Sequence, residues 1–123
     1  MNILIANSSK DPIYMQIVDQ LKEEIIKGSI PEGEALPSIR SLARDLRISV
    51  ITTKRAYDEL EKAGFIDTVA GKGSFVAVQN RELLFEQRLR TIESKLSSLL
   101  VEAQLIGLSS KDLTEMLSVI EED

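Results

Sequence analysis

The residues able to do chemistry in this sequence are cations, and they are clustered. Between Ser38 and Arg55, five bases (Arg40, Arg44, Arg47, Lys54 and Arg55) face one acid, Asp45, a local net charge of +4. The whole chain of 123 residues carries 15 bases against 20 acids, a net of -5, and from Gln79 onward there are five bases against nine acids. A basic patch on an acidic body is an electrostatic footprint for phosphate, with the remainder repelling nucleic acid and keeping the protein soluble. A further cation, Lys72, stands between Gly71 and Gly73, where backbone and ammonium can approach a phosphate or lie in a minor groove. Other chemistries are excluded. The chain has no histidine and no cysteine, which removes Cys/His metal sites, Ser-His and Cys-His nucleophiles, disulfides and thiolate chemistry. No metal and no cofactor is expected. Gly71-Lys72-Gly73 lacks the spacing of a phosphate-binding P-loop, and the acids fall mainly on expected helix surfaces, where solvation is their ordinary role.

The elements that must position these cations come from the stretch Leu36–Ala63. Ser38 is a good N-cap placed just after Pro37, and Ile39, Leu42, Ala43 and Leu46 recur at helical spacing. Arg47-Ile48-Ser49 breaks the pattern, and Ser49 caps a second helix that buries Thr53, Ala56, Tyr57 and Leu60. Small Ala43 permits close approach of the two helices, and Ile48 fills the angle between them. This is the pattern of a helix-turn-helix, whose second helix enters the DNA major groove.

Around it, Ile3–Ala6 reads as a short strand and Asn7–Lys10 as a turn. Asp11 caps a first long helix with Pro12 at its first position and Gly28 as its stop. That helix presents Ile13, Tyr14, Ile17, Val18, Leu21, Ile25 and Ile26 as its apolar face. Gly33–Pro37 is an extended lead-in to the helix-turn-helix. After Gly64, the strands 65–69 and 74–78 flank the turn Ala70–Gly73, a hairpin in the position of a wing. From Arg81 the character changes. Phe85, Leu89, Ile92, Leu96, Leu99, Ala103 and Ile106 alternate spacings of 4 and 3, a heptad seam. Gly107 stops this helix, and Ser109 with Asp112 forms a capping box for another that carries Leu113, Met116, Leu117 and Ile120. The expected fold is mainly α with a small β-wing: a winged helix-turn-helix over 1–78, then an α-helical hairpin over 79–123. The hairpin exposes more apolar surface than the winged domain covers, and self-association through the seam, Leu113 and Leu117 is the economical explanation.

Four motifs in order resemble the GntR family of bacterial transcription regulators: Asp-Pro-Ile-Tyr-x-Gln-Ile at 11–17, Gly33-x-x-Leu36-Pro37-Ser38-x-Arg40-x-Leu42-Ala43, Lys54-Arg55-Ala56-Tyr57-x-x-Leu60-Glu61, and Gly71-Lys72-Gly73-Ser74-Phe75-Val76. The short two-helix tail is similar to that of the YtrA-like subfamily. The resemblance implies a homodimeric repressor of double-stranded operator DNA, in that subfamily often controlling transporter operons, with the tail serving dimerisation. Larger relatives carry effector domains where this chain has only a hairpin. By position, it implies DNA contacts from Arg40, Ser49, Val50, Thr52, Lys54 and Gly71; charge and capping add Ser38, Arg55 and Lys72. Three departures stand out. Arg47 occupies a turn where relatives often have glycine, Val50-Ile51 opens the recognition helix where arginine or asparagine is frequent, and Thr53 replaces a larger aliphatic. The apolar pair suggests contact with thymine methyls.

The leading functional reading is therefore a sequence-specific DNA-binding regulator that reads a palindromic operator as a dimer. The alternative is a winged-helix protein-interaction module without DNA binding, which the acidic total charge and Val50-Ile51 would suit. An enzyme is the poorest candidate. No small-molecule effector is marked by any residue of the tail. The apolar run at Ile3–Ala6 is too short for a signal-peptide core and has no base before it, no stretch suits a membrane span, and a bacterial cytoplasmic location, nucleoid-associated when bound, is expected.

Overall fold

The computed structural model describes residues 2–122 as seven elements: α1 (Ile13–Lys27), α2 (Ile39–Leu46), α3 (Val50–Lys62), β1 (Ile66–Val69), β2 (Gly73–Val76), α4 (Arg81–Leu105) and α5 (Ser110–Glu121). They form two compact units that divide between Gln79 and Asn80.

In the first unit α3 is the central element, packed on α1, α2 and β1. Its buried stripe is Thr53, Ala56, Tyr57 and Leu60, the set expected from helical spacing. Against it lie Ile17, Val18, Leu21 and Ile25 of α1 and Leu42 and Ala43 of α2. Ile30, Leu36, Phe65, Ile66, Val76 and Ala77 complete the core. The strands β1 and β2 pair antiparallel from Ile66↔Val76 to Val69↔Gly73, each shorter than expected. The lead-in segment is in effect a third strand. Gly33 and Leu36 donate to the Val76 and Ser74 carbonyls at 2.8 and 2.9 Å, and Val76 donates back to Glu34 O at 2.9 Å. These bonds tie the helix-turn-helix to the wing.

Two expectations fail at the beginning of the chain. Asp11 does not cap α1; the N-cap is Pro12, with no side-chain cap bond. Ile3–Ala6 is not a β-strand, because among the described residues no strand pairs with it. Two glutamines of α1 supply the partners instead. Gln20 accepts from Leu4 N at 2.9 Å and donates to Leu4 O at 2.7 Å, and Gln16 accepts from Ala6 N at 2.8 Å and donates to Ala6 O at 3.1 Å. Four helical residues rise about 6 Å and two extended residues about 6.6 Å, so side-chain amides at i and i+4 match alternate peptide groups.

In the second unit, Asn80 caps α4 and Gly107, at φ 83°, follows its end. The Ser109–Asp112 capping box opens α5. The Ser109 backbone N–H, and then its hydroxyl, hold the Asp112 carboxyl below its ordinary pKa. Among the described residues no helix is long and apolar enough to cross a membrane.

Candidate nucleic-acid interface

The turn between α2 and α3 is built from side-chain chemistry. Ser38 Oγ accepts from Ser41 N at 3.1 Å, which starts α2. Arg47 closes it in the left-handed region at φ 58°, ψ 47°, the sole non-glycine with positive φ among the described residues. Its N–H donates to Arg44 O, and that of Ile48 to Ala43 O, at 3.2 and 3.0 Å, satisfying carbonyls a helix end leaves open. Ser49 Oγ then accepts from Thr52 N at 3.0 Å and donates to Thr52 Oγ1 at 2.8 Å. Thr53, fully buried, donates its hydroxyl to Ser49 O at 3.0 Å, so the small polar residue at this site is satisfied. Tyr57 pins α3 to the start of α2 through a 2.7 Å bond from its hydroxyl to Pro37 O, and burial pushes its pKa up to about 12.

These constraints leave one face of α3 outward. Opposite the buried stripe, Ile51, Arg55 and Asp58 follow at i, i+4 and i+7, with Val50 and Lys54 beside them. Ile51 is 82% exposed and Val50 48%. The buried stripe at 53, 56, 57 and 60 puts Ile51 on the outer face, in keeping with the thymine-methyl contact that the sequence suggests for Val50-Ile51. Lys54 lies 2.9 Å from Asp58, and that carboxylate raises its pKa above the ordinary lysine value. Arg55 is engaged too: its guanidinium lies 3.9 Å from the Tyr14 ring centroid and donates to Tyr14 Oη at 3.2 Å. It is thus a strut between α3 and α1 as well as a surface charge. On α2, Arg40 and Arg44 are exposed at i and i+4, and they, Arg47 and Lys72 form no salt bridge among the described residues.

The wing turns over Ala70-Gly71-Lys72. Gly71 has φ 76°, a conformation that favours glycine, and Lys72 N donates to Val69 O at 3.0 Å. Thr68 Oγ1 donates to Glu61 Oε2 at 2.7 Å, which fixes β1 to α3.

The tail, by itself, is a chain of exposed apolar residues. Phe85, Leu89, Ile92, Leu96, Leu99 and Leu117 are each at least 41% exposed, and Leu113 is half-buried. One member of the expected seam is not exposed, and one lies just past the helix, where it stays exposed. Ala103 is buried within the folded chain, so it is not available to a partner, and Ile106 lies past the end of α4 as its C-cap.

The model of the bacterial regulatory proteins of the gntR family matches residues 13–76, from the start of α1 to the end of the wing. The chain belongs to the GntR family. It is 35% identical to the HTH-type transcriptional repressor YtrA of Bacillus subtilis, over 98% of this chain and 93% of that one. Among solved structures, a transcriptional antiterminator from Listeria monocytogenes superposes with a TM-score of 0.78 at 32% identity, over 98% of this chain and 90% of that one. The DNA-binding domain of AraR in complex with an operator superposes with a TM-score of 0.53 at 25% identity, covering 63% of this chain and 93% of that domain. This GntR chain is therefore a DNA-binding transcription regulator of winged helix-turn-helix fold, and not an enzyme.

Proposed function

We propose that this GntR protein is a repressor that binds a palindromic operator as a homodimer. In this reading α3 lies in the major groove and the Gly71–Lys72 tip meets the minor groove or backbone. Arg40 and Lys54 make phosphate or guanine contacts, Thr52 donates to phosphate, Val50 lines the groove, and Lys72 adds a point charge. Ser38 and Ser49 serve mainly by capping: each hydroxyl takes up the backbone N–H that fixes its helix start. Arg55 reaches phosphate only from its place against Tyr14, and Arg44 and Arg47 widen the basic surface.

The observation that carries the reading is the outward face of α3, together with Arg40, Arg44, Arg47 and Lys72, which are exposed and form no salt bridge among the described residues. Dimerisation is supported by the tail. Leu96, Leu99, Met116, Leu117 and Ile120 are half or more exposed around one groove between α4 and α5, a contiguous apolar patch of the kind that marks an interaction site. A second copy of the hairpin is the partner that fits it, and a two-fold dimer would set half-sites about one helical turn apart. The Arg40→Ala, Lys54→Ala double variant tests the assignment. It is expected to sediment as a dimer like wild type and to lose retention of promoter DNA. Unchanged retention would favour a winged-helix interaction module that does not use this surface for DNA.

A further inference from the structure

We infer that Ile51 reads thymine in the operator, through its C5-methyl group, and so sets the base preference of each half-site at the position it faces. The inference rests on the operator-binding reading above and names what α3 recognises there. Ile51 is the second residue of α3 and, at 82% exposure, one of the most exposed apolar side chains in the chain. It makes no contact that explains it as core: the stripe that packs α3 is Thr53, Ala56, Tyr57 and Leu60. It stands in the first turn, and N-terminal residues of a recognition helix are the ones that reach base edges. Its surroundings are polar: the Ser49 and Thr52 hydroxyls, bonded to each other at 2.8 Å, lie on either side in sequence, Lys54, paired with Asp58, follows three residues on, and Arg55 follows four on. Such a rim suits a polyanion and not an apolar protein surface.

The chemistry then narrows the target. Isoleucine has neither donor nor acceptor, so the hydrogen-bonding edges of guanine, adenine and cytosine offer it nothing. The one apolar feature in the major groove is the thymine methyl. Facing a cytosine, the same side chain would cover the N4 amino donor without replacing its water, which is unfavourable. Val50, less exposed and one step round the helix, borders this contact.

The test uses the full chain. Duplexes bound by the protein are selected from a randomised pool, and each thymine of the enriched site is replaced in turn by uracil, which lacks only the methyl. At the position read by Ile51, uracil is expected to weaken wild-type binding about fourfold, the value of burying one methyl-sized group. Ile51→Ser, a change at an exposed position that leaves the core intact, is expected to bind the thymine and uracil forms equally. If every uracil form binds wild type as well as the parent, or if Ile51→Ser keeps the full difference, the methyl reading by Ile51 is overturned while operator recognition stands. If no sequence is enriched at all, operator recognition itself fails and this inference with it.

Discussion

Arg47 is where backbone and charge make opposing demands. A left-handed residue at the end of α2 favours glycine, and an L-residue there costs on the order of 1 kcal/mol, yet the chain keeps a guanidinium at the edge of its basic surface. Arg47→Gly is expected to stabilise the first unit by about 1 kcal/mol in chemical denaturation. It should also lower the salt dependence of DNA binding by about one phosphate contact. Asp58 poses a different conflict, since it holds Lys54 at 2.9 Å on the outward face of α3. Asp58→Asn is expected to tighten DNA binding several-fold at low salt by freeing that ammonium and removing a charge that repels phosphate. Equal affinity in a binding titration would mean that Lys54 leaves Asp58 without cost. The Ser38, Ser49 and Ser109 caps are legible in the sequence because each bond spans three residues. The Arg55–Tyr14 stack spans 41, and no local pattern announces it.

At the scale of elements, what is legible divides along the same line. The helices α1, α2 and α3 follow from apolar spacing and from their stops, and the turn glycines mark the wing. The opening segment misleads because its run of apolar residues is that of a strand, while its hydrogen-bond partners are the side chains of Gln16 and Gln20 on a helix. Gln20→Leu is expected to speed amide exchange at Leu4 well above its effect at Leu21, and to cost about 1 kcal/mol of stability, the worth of a typical hydrogen bond. Protection at Leu4 that survives the substitution would show that packing, not the amide pair, holds the segment. The lead-in Gly33–Leu36 reads as extended in the sequence, but its pairing with β2 is hidden, because its bonds run to Ser74 and Val76, far along the chain, and Gly33 and Glu34 carry no strand signal.

For the whole molecule, DNA contact falls in the proposed reading to the basic stretch 38–55 of the first unit, and subunit pairing to the acidic, apolar-faced tail. The heptad spacing shows in the sequence and its exposure in the structure, except at Ala103, which is buried, and Gly107 ends α4 where the sequence places the stop. Leu96→Glu, at a position 58% exposed, is expected to leave each unit folded and to shift sedimentation from dimer to monomer, with operator affinity falling as the second half-site is lost. A variant that stays dimeric would place the interface elsewhere.

The central claim is that two copies of this chain bind one operator through the α2–α3 surface. It is met most directly by a gel mobility-shift titration on the promoter of the protein's own operon at low and moderate salt, with the stoichiometry of the shifted species measured. The expected result is a discrete complex of two protomers per site that resists nonspecific competitor, the logarithm of its binding constant falling linearly with the logarithm of salt. Retention that ignores sequence and vanishes at modest salt, or a complex of one protomer, would contradict it.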